Sequence, residues 1–243
     1  MKKLPVIVIM IFILPVYAAA QFHLLFNGRD FTGWHMDVPA MDTGKIVKPP
    51  FIIRNGMIVL LAGPYGHLIT DTVYQNFRLR VEYRFAAVPG NSGVLVHVSA
   101  PREINKMYPK SIEVQLKHNN AGDLWCIGEN ITAPDMENRR GYEDKPKGMY
   151  SSIMATLKRW SGMGESKQSR IVKLTGNTEK PAGEWNTLIT ECAGNNIKVW
   201  LNGSLVNYGY NCTATKGQIA LQAEGCEVEF RKVELMQITK ITE

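Results

Sequence analysis

Short segments in which apolar and polar residues alternate, bounded by turn residues, recur along most of the chain. RVEYRF (residues 80–85), VLVHVS (94–99) and SIEVQLK (111–117) show this alternation, and Asn55-Gly56 and Asn202-Gly203 each separate two apolar runs. A period of two residues is typical of strands, and Asn-Gly favours tight β-hairpin turns because both residues accept positive φ. No convincing helical period extends over about 11 residues. The pattern therefore predicts an all-β sandwich or jelly roll.

The first 20 residues have the pattern of a secretory signal peptide. Lys2 and Lys3 precede an apolar run from Leu4 to Val16, and Ala18 and Ala20 occupy the two positions that signal peptidase recognises. The run is shorter than the roughly 20 residues of a membrane-spanning helix. We therefore expect residues 21–243 to form one domain that is periplasmic or secreted, with no membrane partner after the signal is removed.

The charge and the cysteines of the chain limit the kinds of partner that the sequence predicts. The 28 Lys and Arg residues exceed the 22 Asp and Glu residues by six, and removal of Lys2 and Lys3 leaves a net charge of +4. Because the basic residues are scattered, the sequence does not predict nucleic-acid binding.

Four cysteines permit one or two disulfides in an exported chain, but their spacing fits no zinc motif and fixes no pairing. They are Cys126, Cys192, Cys212 and Cys226.

Alternation also predicts where polar side chains collect. In three successive segments the apolar residues share one face, and the opposite faces carry Glu82 and Arg84, then His97, then Glu113 and Gln115. If these segments are neighbours in one sheet, their side chains form one patch that can bind a hydroxylated ligand and move a proton. An ordinary solvated sheet face is the alternative, since alternation produces such faces routinely.

Trp125 lies just after these segments and is a candidate stacking platform for a sugar ring. An indole packed in the hydrophobic core is the alternative for this residue.

Seven motifs carry a resemblance to a known family. They are LLFNGRDFTGW (residues 24–34), EYR (82–84), NSGV (91–94), IEVQL (112–116), GEWN (183–186), LNG (201–203) and GQIALQAEGCEVEFRKVEL (217–235). They occur in the order seen in the 3-keto-disaccharide hydrolase domain family, formerly a domain of unknown function, and they cover almost all of residues 21–243. The resemblance implies a concanavalin A-like jelly-roll β-sandwich that acts on glycosides whose sugar carries a ketone at C3.

The sequence departs from the family pattern at four places, which indicates a divergent subfamily. The segment AGDLWCIGENITAPD (residues 121–135) replaces the usual stretch of small residues and Tyr. Glu224 stands where the common family ending has His, and Lys232 stands where it has Asn. The usual Asp after IEVQL is replaced by Lys117 or His118, depending on the alignment.

The implied reaction begins at the C2 hydrogen, which the C3 ketone makes acidic. A base removes this proton, and the enolate then expels the group on C1; water adding back would complete hydrolysis, whereas release of the unsaturated product would make the enzyme a lyase. We expect Glu113 or His97 to be the base and the other to be the acid. Glu82 is expected to orient Arg84 or His97.

The remaining predicted site residues bind the substrate. Arg84 and Gln115 are expected to hold substrate oxygens, Trp125 to stack on the sugar, and Asn91 of the NSGV motif to contact the ligand. The chemistry requires no cofactor, but a divalent cation held by His97, Glu82 and Glu113 would also polarise the ketone.

Two other functions fit the same fold. One is a non-catalytic carbohydrate-binding module, in which rings and amides grip a glycan. The other is an ordinary glycosidase that uses Glu82 and Glu113 as its carboxyl pair. The sequence leaves open the glycoside and its anomer, the hydrolase or lyase outcome, metal dependence, disulfide pairing and oligomeric state.

Overall fold

Strands make up nearly all the regular structure of the chain. A computed structural model describes residues 21–142 and 168–243, so the predicted signal peptide at residues 1–20 lies outside the described residues. A 3-10 helix spans Pro39–Thr43, and the short helix α1 spans Met136–Arg139. The described strands are β1 (His23–Leu24), β2 (Trp34–Asp37), β3 (Phe51–Arg54), β4 (Met57–Leu60), β5 (Gly66–Thr70), β6 (Phe77–Phe85), β7 (Asn91–Ile104), β8 (Tyr108–Gln115), β9 (Leu124–Ile127), β10 (Arg140–Tyr142), β11 (Gln168–Ile171), β12 (Asn186–Ala193), β13 (Asn196–Leu201), β14 (Ser204–Gly209), β15 (Gln218–Glu224) and β16 (Val228–Gln237).

The strands form two antiparallel sheets. Sheet A has the order β14-β13-β12-β6-β16-β4-β3, and β1 also pairs with β16. Sheet B has the order β10-β11-β9-β8-β7-β15-β5-β2. Consecutive strands often lie in different sheets, as in a jelly roll. The predicted jelly-roll β-sandwich is confirmed.

The two Asn-Gly turns are hairpin turns, as the sequence predicts. Asn55 and Gly56 join β3 to β4 with φ of 53° and 72°, and Asn202 and Gly203 join β13 to β14 with φ of 50° and 85°. Two successive residues with positive φ match the right-handed twist of the paired strands, which explains why Asn and Gly occupy these positions.

The hydrophobic core lies between the sheets. Sheet A contributes the alternate residues of β6, which are Phe77, Leu79, Val81, Tyr83 and Phe85, all of them buried. Sheet B contributes the matching residues of its central strands, which are Val94, Val96, Ile112, Val114, Leu124, Ile219 and Leu221. Each sheet therefore has one face in the core and one outer face.

β7 leaves its regular alternation at His97, where the sequence predicts an outward-facing side chain. The pairing with β8 jumps from Val96↔Ile112 to Ala100↔Lys110, and His97 has a φ of 58°. Its ring turns inward and lies 6.1 Å from the ring of Phe77, a core residue of sheet A. The predicted outward position of His97 is therefore wrong, because a β-bulge reverses the direction of the side chain.

Gly217 packs directly against this bulge. A Cβ atom at Gly217 would collide with the backbone of His97, including its carbonyl carbon. Gly217 also forms an antiparallel bridge with Tyr74, with N–O distances of 2.8 and 3.1 Å. The glycine thus allows the two backbones to approach closely at the point where His97 turns into the core.

The cysteines carry free thiols in the structure. Cys126, Cys192 and Cys212 are buried and Cys226 is partly buried. Burial raises the pKa of Cys212 to about 12 and that of Cys226 to about 11, so both thiols stay protonated at neutral pH. Within residues 21–142 and 168–243, no helix has the length and apolar character needed to cross a membrane.

Substitution of Gly217 tests the close packing at the bulge. We expect Gly217→Ala to lower the free energy of unfolding by about 2 kcal/mol or more, because the added methyl group meets backbone that cannot rotate away. Chemical denaturation of both forms measures the difference. Gly176→Ala is the matched control, since nothing lies within 4 Å of a Cβ at Gly176. Equal effects of the two substitutions would contradict the close packing.

Candidate active site

Strand register places a row of polar residues across the outer face of sheet B. Asp37 lies opposite His67 in the neighbouring strand, His67 lies opposite Gln222, Gln222 opposite Gly93, and Gly93 opposite Gln115. Residues that are partners in neighbouring strands point to the same face, so the four side chains and the glycine form one continuous row.

A second row lies beside the first on the same face. In this row Ile69 lies opposite Ala220 in the neighbouring strand, Ala220 opposite Leu95, Leu95 opposite Glu113, and Glu113 opposite Trp125. The apolar members form a small buried cluster against which Trp125 packs. Glu113 thus lies in an apolar row and next to the polar one, which is an environment that excludes water from its carboxyl group.

Gly93 allows two polar side chains to meet above the sheet. A Cβ atom at this position would collide with Glu113 Oε1 and would lie 2.9 Å from Gln222 Oε1. The side chains of the two flanking strands therefore lean over the bare backbone of β7. We call Glu113, Gln222, His67 and Gly93 the site floor.

The polar atoms of the site floor are buried without protein partners. His67, Gln222 and Glu113 are 1%, 2% and 4% exposed. Both ring nitrogens of His67, Oε1 of Glu113 and Oε1 of Gln222 have no hydrogen-bond partner among the described residues. Buried polar groups in native proteins are nearly always hydrogen-bonded, so a group of such atoms on one face indicates a functional site.

Burial moves the pKa values of the two titratable floor residues in opposite directions. Burial raises the pKa of Glu113 well above its usual value, and the negative charge of Glu224 raises it further. Burial lowers the pKa of His67 to about 4, and the nearby charge of Asp37 offsets only part of this effect. Burial therefore favours the protonated form of the Glu113 carboxyl, and it leaves the His67 imidazole uncharged at neutral pH.

Glu224 lies at the edge of the floor and is well supplied with donors. The Tyr108 hydroxyl donates to its Oε1 at 3.0 Å, and Asn91 Nδ2 donates to its Oε2 at 2.6 Å. The Tyr108 ring also lies edge-on to the His67 ring, with 6.2 Å between the ring centroids. These contacts place Tyr108 and Asn91 beside the floor.

The far half of the β7–β8 hairpin, residues 99–108, covers the floor; we call it the cap. Its residues Ile104 and Tyr108 pack on the apolar cluster of the site face. Arg102 Nε donates to Asp37 Oδ1 at 2.8 Å, and Arg102 Nη1 donates to Asp42. The cap therefore reaches across sheet B from β7 as far as β2, which accounts for the burial of the floor.

Four predicted site residues lie together on this face. Glu113, Gln115 and Trp125 occupy the two rows, and Asn91 lies at their edge through its contact with Glu224. Gln115 Oε1 accepts a hydrogen bond from Lys117 N at 2.8 Å.

Glu82 and Arg84 do not belong to this face, and the prediction that they do is wrong. Both lie on β6, whose neighbours are β12 and β16 in sheet A. They alternate with core residues of β6, so they point to the outer face of sheet A, across the sandwich from the floor. Arg231 Nε donates to Glu82 Oε2 at 2.5 Å, and Arg84 Nε donates to Glu229 Oε2 at 2.7 Å. Both are therefore members of ion pairs on that outer face.

The predicted cation ligands are likewise separated. Glu82 lies on the outer face of sheet A, His97 points into the core and Glu113 lies on the site floor. These three side chains cannot hold one metal ion. Among residues 21–142 and 168–243, no other group of three or more His, Cys, Asp or Glu residues has the arrangement of a metal site.

Sequence reasoning overlooked His67 and Gln222, although a signal for both was present. In β15, Ile219, Leu221 and Ala223 are core residues, so Gln222 belongs to the outer face. In β5, the core residue Leu68 likewise assigns His67 to the outer face. The alternation that placed Glu113 therefore also applies to these strands.

The pKa of Glu113 predicts a pH-dependent effect of its replacement. Because its folded-state pKa lies above the usual 4.5, the stabilising contribution of Glu113 is present at low pH and is lost as pH rises through the raised pKa. Glutamine does not titrate. We expect Glu113→Gln to raise the Tm relative to the native chain more at about pH 8 than at about pH 5, by at least about 2 °C in thermal unfolding.

Glu82→Gln provides the control of opposite sign. Burial, the largest single effect, raises the pKa of Glu82, but the hydrogen bonds and positive charges of Arg231 and Lys232 together outweigh it, and the net pKa is lowered. Its stabilising contribution is thus present above its usual pKa and is lost in acid, so we expect Glu82→Gln to be more destabilising at about pH 8 than at about pH 3. The same pH trend for both variants would contradict the assignment of Glu113.

Comparisons with known proteins agree with this architecture. Residues 21–236 match the family model described as the 3-keto-alpha-glucoside-1,2-lyase-like domain. No curated protein sequence matches the chain.

Three solved structures share the fold. Two are proteins from Parabacteroides distasonis ATCC 8503 that are provisionally described as glycosyl hydrolases. The first is 24% identical with a TM-score of 0.56, covering 89% of this chain and 94% of that one. The second is 18% identical with a TM-score of 0.56, covering 90% and 100%. The carbohydrate binding module CBM66 from Bacillus subtilis is 12% identical with a TM-score of 0.50, covering 84% and 96%.

Proposed function

We propose that this chain, which belongs to the family of 3-keto-alpha-glucoside-1,2-lyase-like domains, cleaves glycosides that carry a ketone at C3 of the sugar. The observation that carries the proposal is the placement of an imidazole, His67, and a carboxyl, Glu113, on one buried floor, where burial lowers the pKa of the first and raises that of the second. At the same pH, one group can accept a proton and the other can donate one.

His67 is the proposed base and Glu113 the proposed acid. His67 takes the proton from C2, and the electrons of the C2–H bond form the enolate of the C3 ketone. The enolate re-forms the ketone as the C1–O bond breaks, and the departing oxygen takes the proton of Glu113. The products are an unsaturated 3-keto sugar and an alcohol. Transfer of the proton from the His67 imidazolium to the Glu113 carboxylate restores both groups.

Amide groups on the same face are the proposed ligands of the sugar oxygens. Gln222 lies between His67 and Gly93 in the row, and Gln115 follows Gly93. The Gln115 carbonyl oxygen accepts from Lys117 N, and its NH₂ group is the proposed donor to the ligand. Donation to the C3 oxygen stabilises the enolate as its charge develops.

Trp125 gives the sugar an apolar surface. It is the cross-strand partner of Glu113 and packs on the apolar cluster of the site face. A sugar ring stacked on the indole would place its C1 substituent near the acid.

The fate of the product distinguishes a lyase from a hydrolase. Release of the unsaturated sugar completes a lyase reaction, whereas addition of water at C1 and return of a proton to C2 gives net hydrolysis. The proposed setting is outside the cytoplasm, as the signal-like residues 1–20 predict.

Substitution of the two floor residues tests the proposal. We expect Glu113→Gln and His67→Asn each to lower kcat/KM on a 3-keto-glucoside by about 10²-fold to 10⁴-fold, because general acids and bases typically contribute that much. Product formation is followed by mass spectrometry, with Tm measured in parallel to show that each variant is folded.

Matched controls lie away from the floor. His97→Asn replaces a second buried imidazole, whose pKa burial also lowers to about 4, and asparagine accepts the positive φ at this position. Glu82→Gln replaces a carboxylate on the outer face of sheet A. We expect kcat/KM within about threefold of the native value for both controls. Loss of turnover in the controls but not in the floor variants would refute the assignment.

A carbohydrate-binding module is the second candidate function. Trp125 beside the amides of Gln115 and Gln222 is a combination that also grips a glycan without catalysis. Binding of a glycan by the native chain, without product from either plain or 3-keto substrates, would favour the module. Product from the oxidised sugar alone would favour the enzyme.

A further inference from the structure

The cap is joined to the rest of sheet B by few strand pairs. Four consecutive pairs from Gly93↔Gln115 to Val96↔Ile112 join β7 to β8 on the core side of the hairpin. Beyond them, only Ala100↔Lys110 and Ile104↔Tyr108 are paired, and a register shift precedes each. Segments with sparse backbone pairing open at a lower free energy than the continuous sheet.

The cap begins just after His97, which we call its root. The root is anchored in the core, and the cap contains a residue in a strained backbone conformation. The ring of His97 lies in the core against Phe77. Beyond it, Arg102 has a φ of 53°, a region that residues other than glycine rarely adopt. Asn105 and Lys106, with φ of 53° and 54°, form the turn of the hairpin. Bulges and such conformations are suited to a segment that pivots on a fixed root.

The tip of the cap is fastened by charge. Arg102 bonds to Asp37 through Nε and Nη2, at 2.8 and 2.5 Å, and to Asp42 through Nη1. The Asp42 side chain is 59% exposed and that of Arg102 is 31% exposed, so water and salt reach this ion pair. We call these three residues the latch. The Asp37 side chain is only 12% exposed, so the Arg102–Asp37 pair is the better shielded part of the latch and the Arg102–Asp42 pair the weaker part. A latch made by a single arginine can break without unfolding the domain.

The atoms beneath the cap are unsuited to permanent burial. His67, Glu113 and Gln222 each have a buried polar atom without a partner among the described residues. Sealing such atoms under apolar residues is unfavourable unless a ligand supplies the missing hydrogen bonds. A cover that opens to admit a polar ligand removes this conflict.

We infer that residues 99–108 form a lid that pivots beyond His97, is fastened by Arg102 to Asp37 and Asp42, and opens to admit a small glycoside to the floor. The inference rests on the proposed function only for the identity of the ligand. Closure over the floor favours a short glycoside or a chain end, since the interior of a long polymer would prevent the lid from closing.

Chemical labelling of histidine measures the opening directly. Diethyl pyrocarbonate modifies uncharged, accessible imidazoles, and peptide mapping by mass spectrometry gives a separate rate for each histidine of the full chain. We expect Arg102→Ala to increase the rate at His67 by at least about fivefold, because the latch is removed. Asp42→Ala, which removes only the exposed partner, is expected to give a smaller increase.

Two other histidines provide internal controls. His97 is buried with its pKa lowered to about 4, as for His67, but its ring lies in the core and reports global unfolding. His35 has a side chain that is 48% exposed and reports the activity of the reagent. We expect the rates at both residues to be unchanged by the two substitutions.

Salt provides a second test of the latch. Because ions screen an exposed pair, raising NaCl from about 0.05 to about 1 M should speed labelling of His67 in the native chain and have little effect in Arg102→Ala. Unchanged labelling of His67 in both variants would overturn the lid. A parallel rise at His67 and His97 would also overturn it, because opening would then be global unfolding. Labelling needs no turnover, so loss of the proposed function would leave this result intact.

Discussion

The removal of an acid and a base from water on the same face of sheet B is the constraint on which the site depends. Glu113 and His67 have opposite charges in their ionised forms, and burial disfavours both of these forms. Burial therefore favours the protonated carboxyl and the uncharged imidazole. Gly93 has no side chain, so Glu113 and Gln222 from the two flanking strands lean over it, and His67 lies beside Gln222 in the same row.

Burial of unpaired polar atoms on the site floor lowers the stability of the fold, although it provides the chemistry of the proposed site. Polar atoms at 1–4% exposure without partners oppose folding, whereas the apolar contacts between the sheets favour it. The outer face of sheet A shows the contrasting solution, since Glu82 and Glu229 are paired there with arginines. Carboxylates that are hydrogen-bonded in this way remain ionised and are poor proton donors at neutral pH. The outer face of sheet B differs in its chemistry because the cap covers its floor.

The cap links the stability of the site to access. It creates the dry environment that shifts both pKa values, yet it must move for a ligand to reach the floor. A cover held by the partly exposed Arg102 latch and a few apolar contacts meets both requirements. Continuous strand pairing would have made the same cover permanent. The sparse pairing and the bulges of the β7–β8 hairpin are therefore consistent with its place in the site.

The sequence by itself determined the all-β class, the two Asn-Gly hairpin turns, the core residues of β6 and β8 and the outward position of Glu113, because all of these follow from a period of two residues and from local turn chemistry. Only the tertiary structure decided which outer faces coincide. The alternation of β6 assigns Glu82 to a face of its own strand but contains no information about whether β6 pairs with β7 or with β12 and β16. At His97 even the local rule failed, since a bulge supported by Gly217, far along the chain, turned the ring into the core. Pairing partners and bulges depend on hydrogen bonds between distant segments, so the meeting of Glu113 with His67 and Gln222 had to be seen in three dimensions.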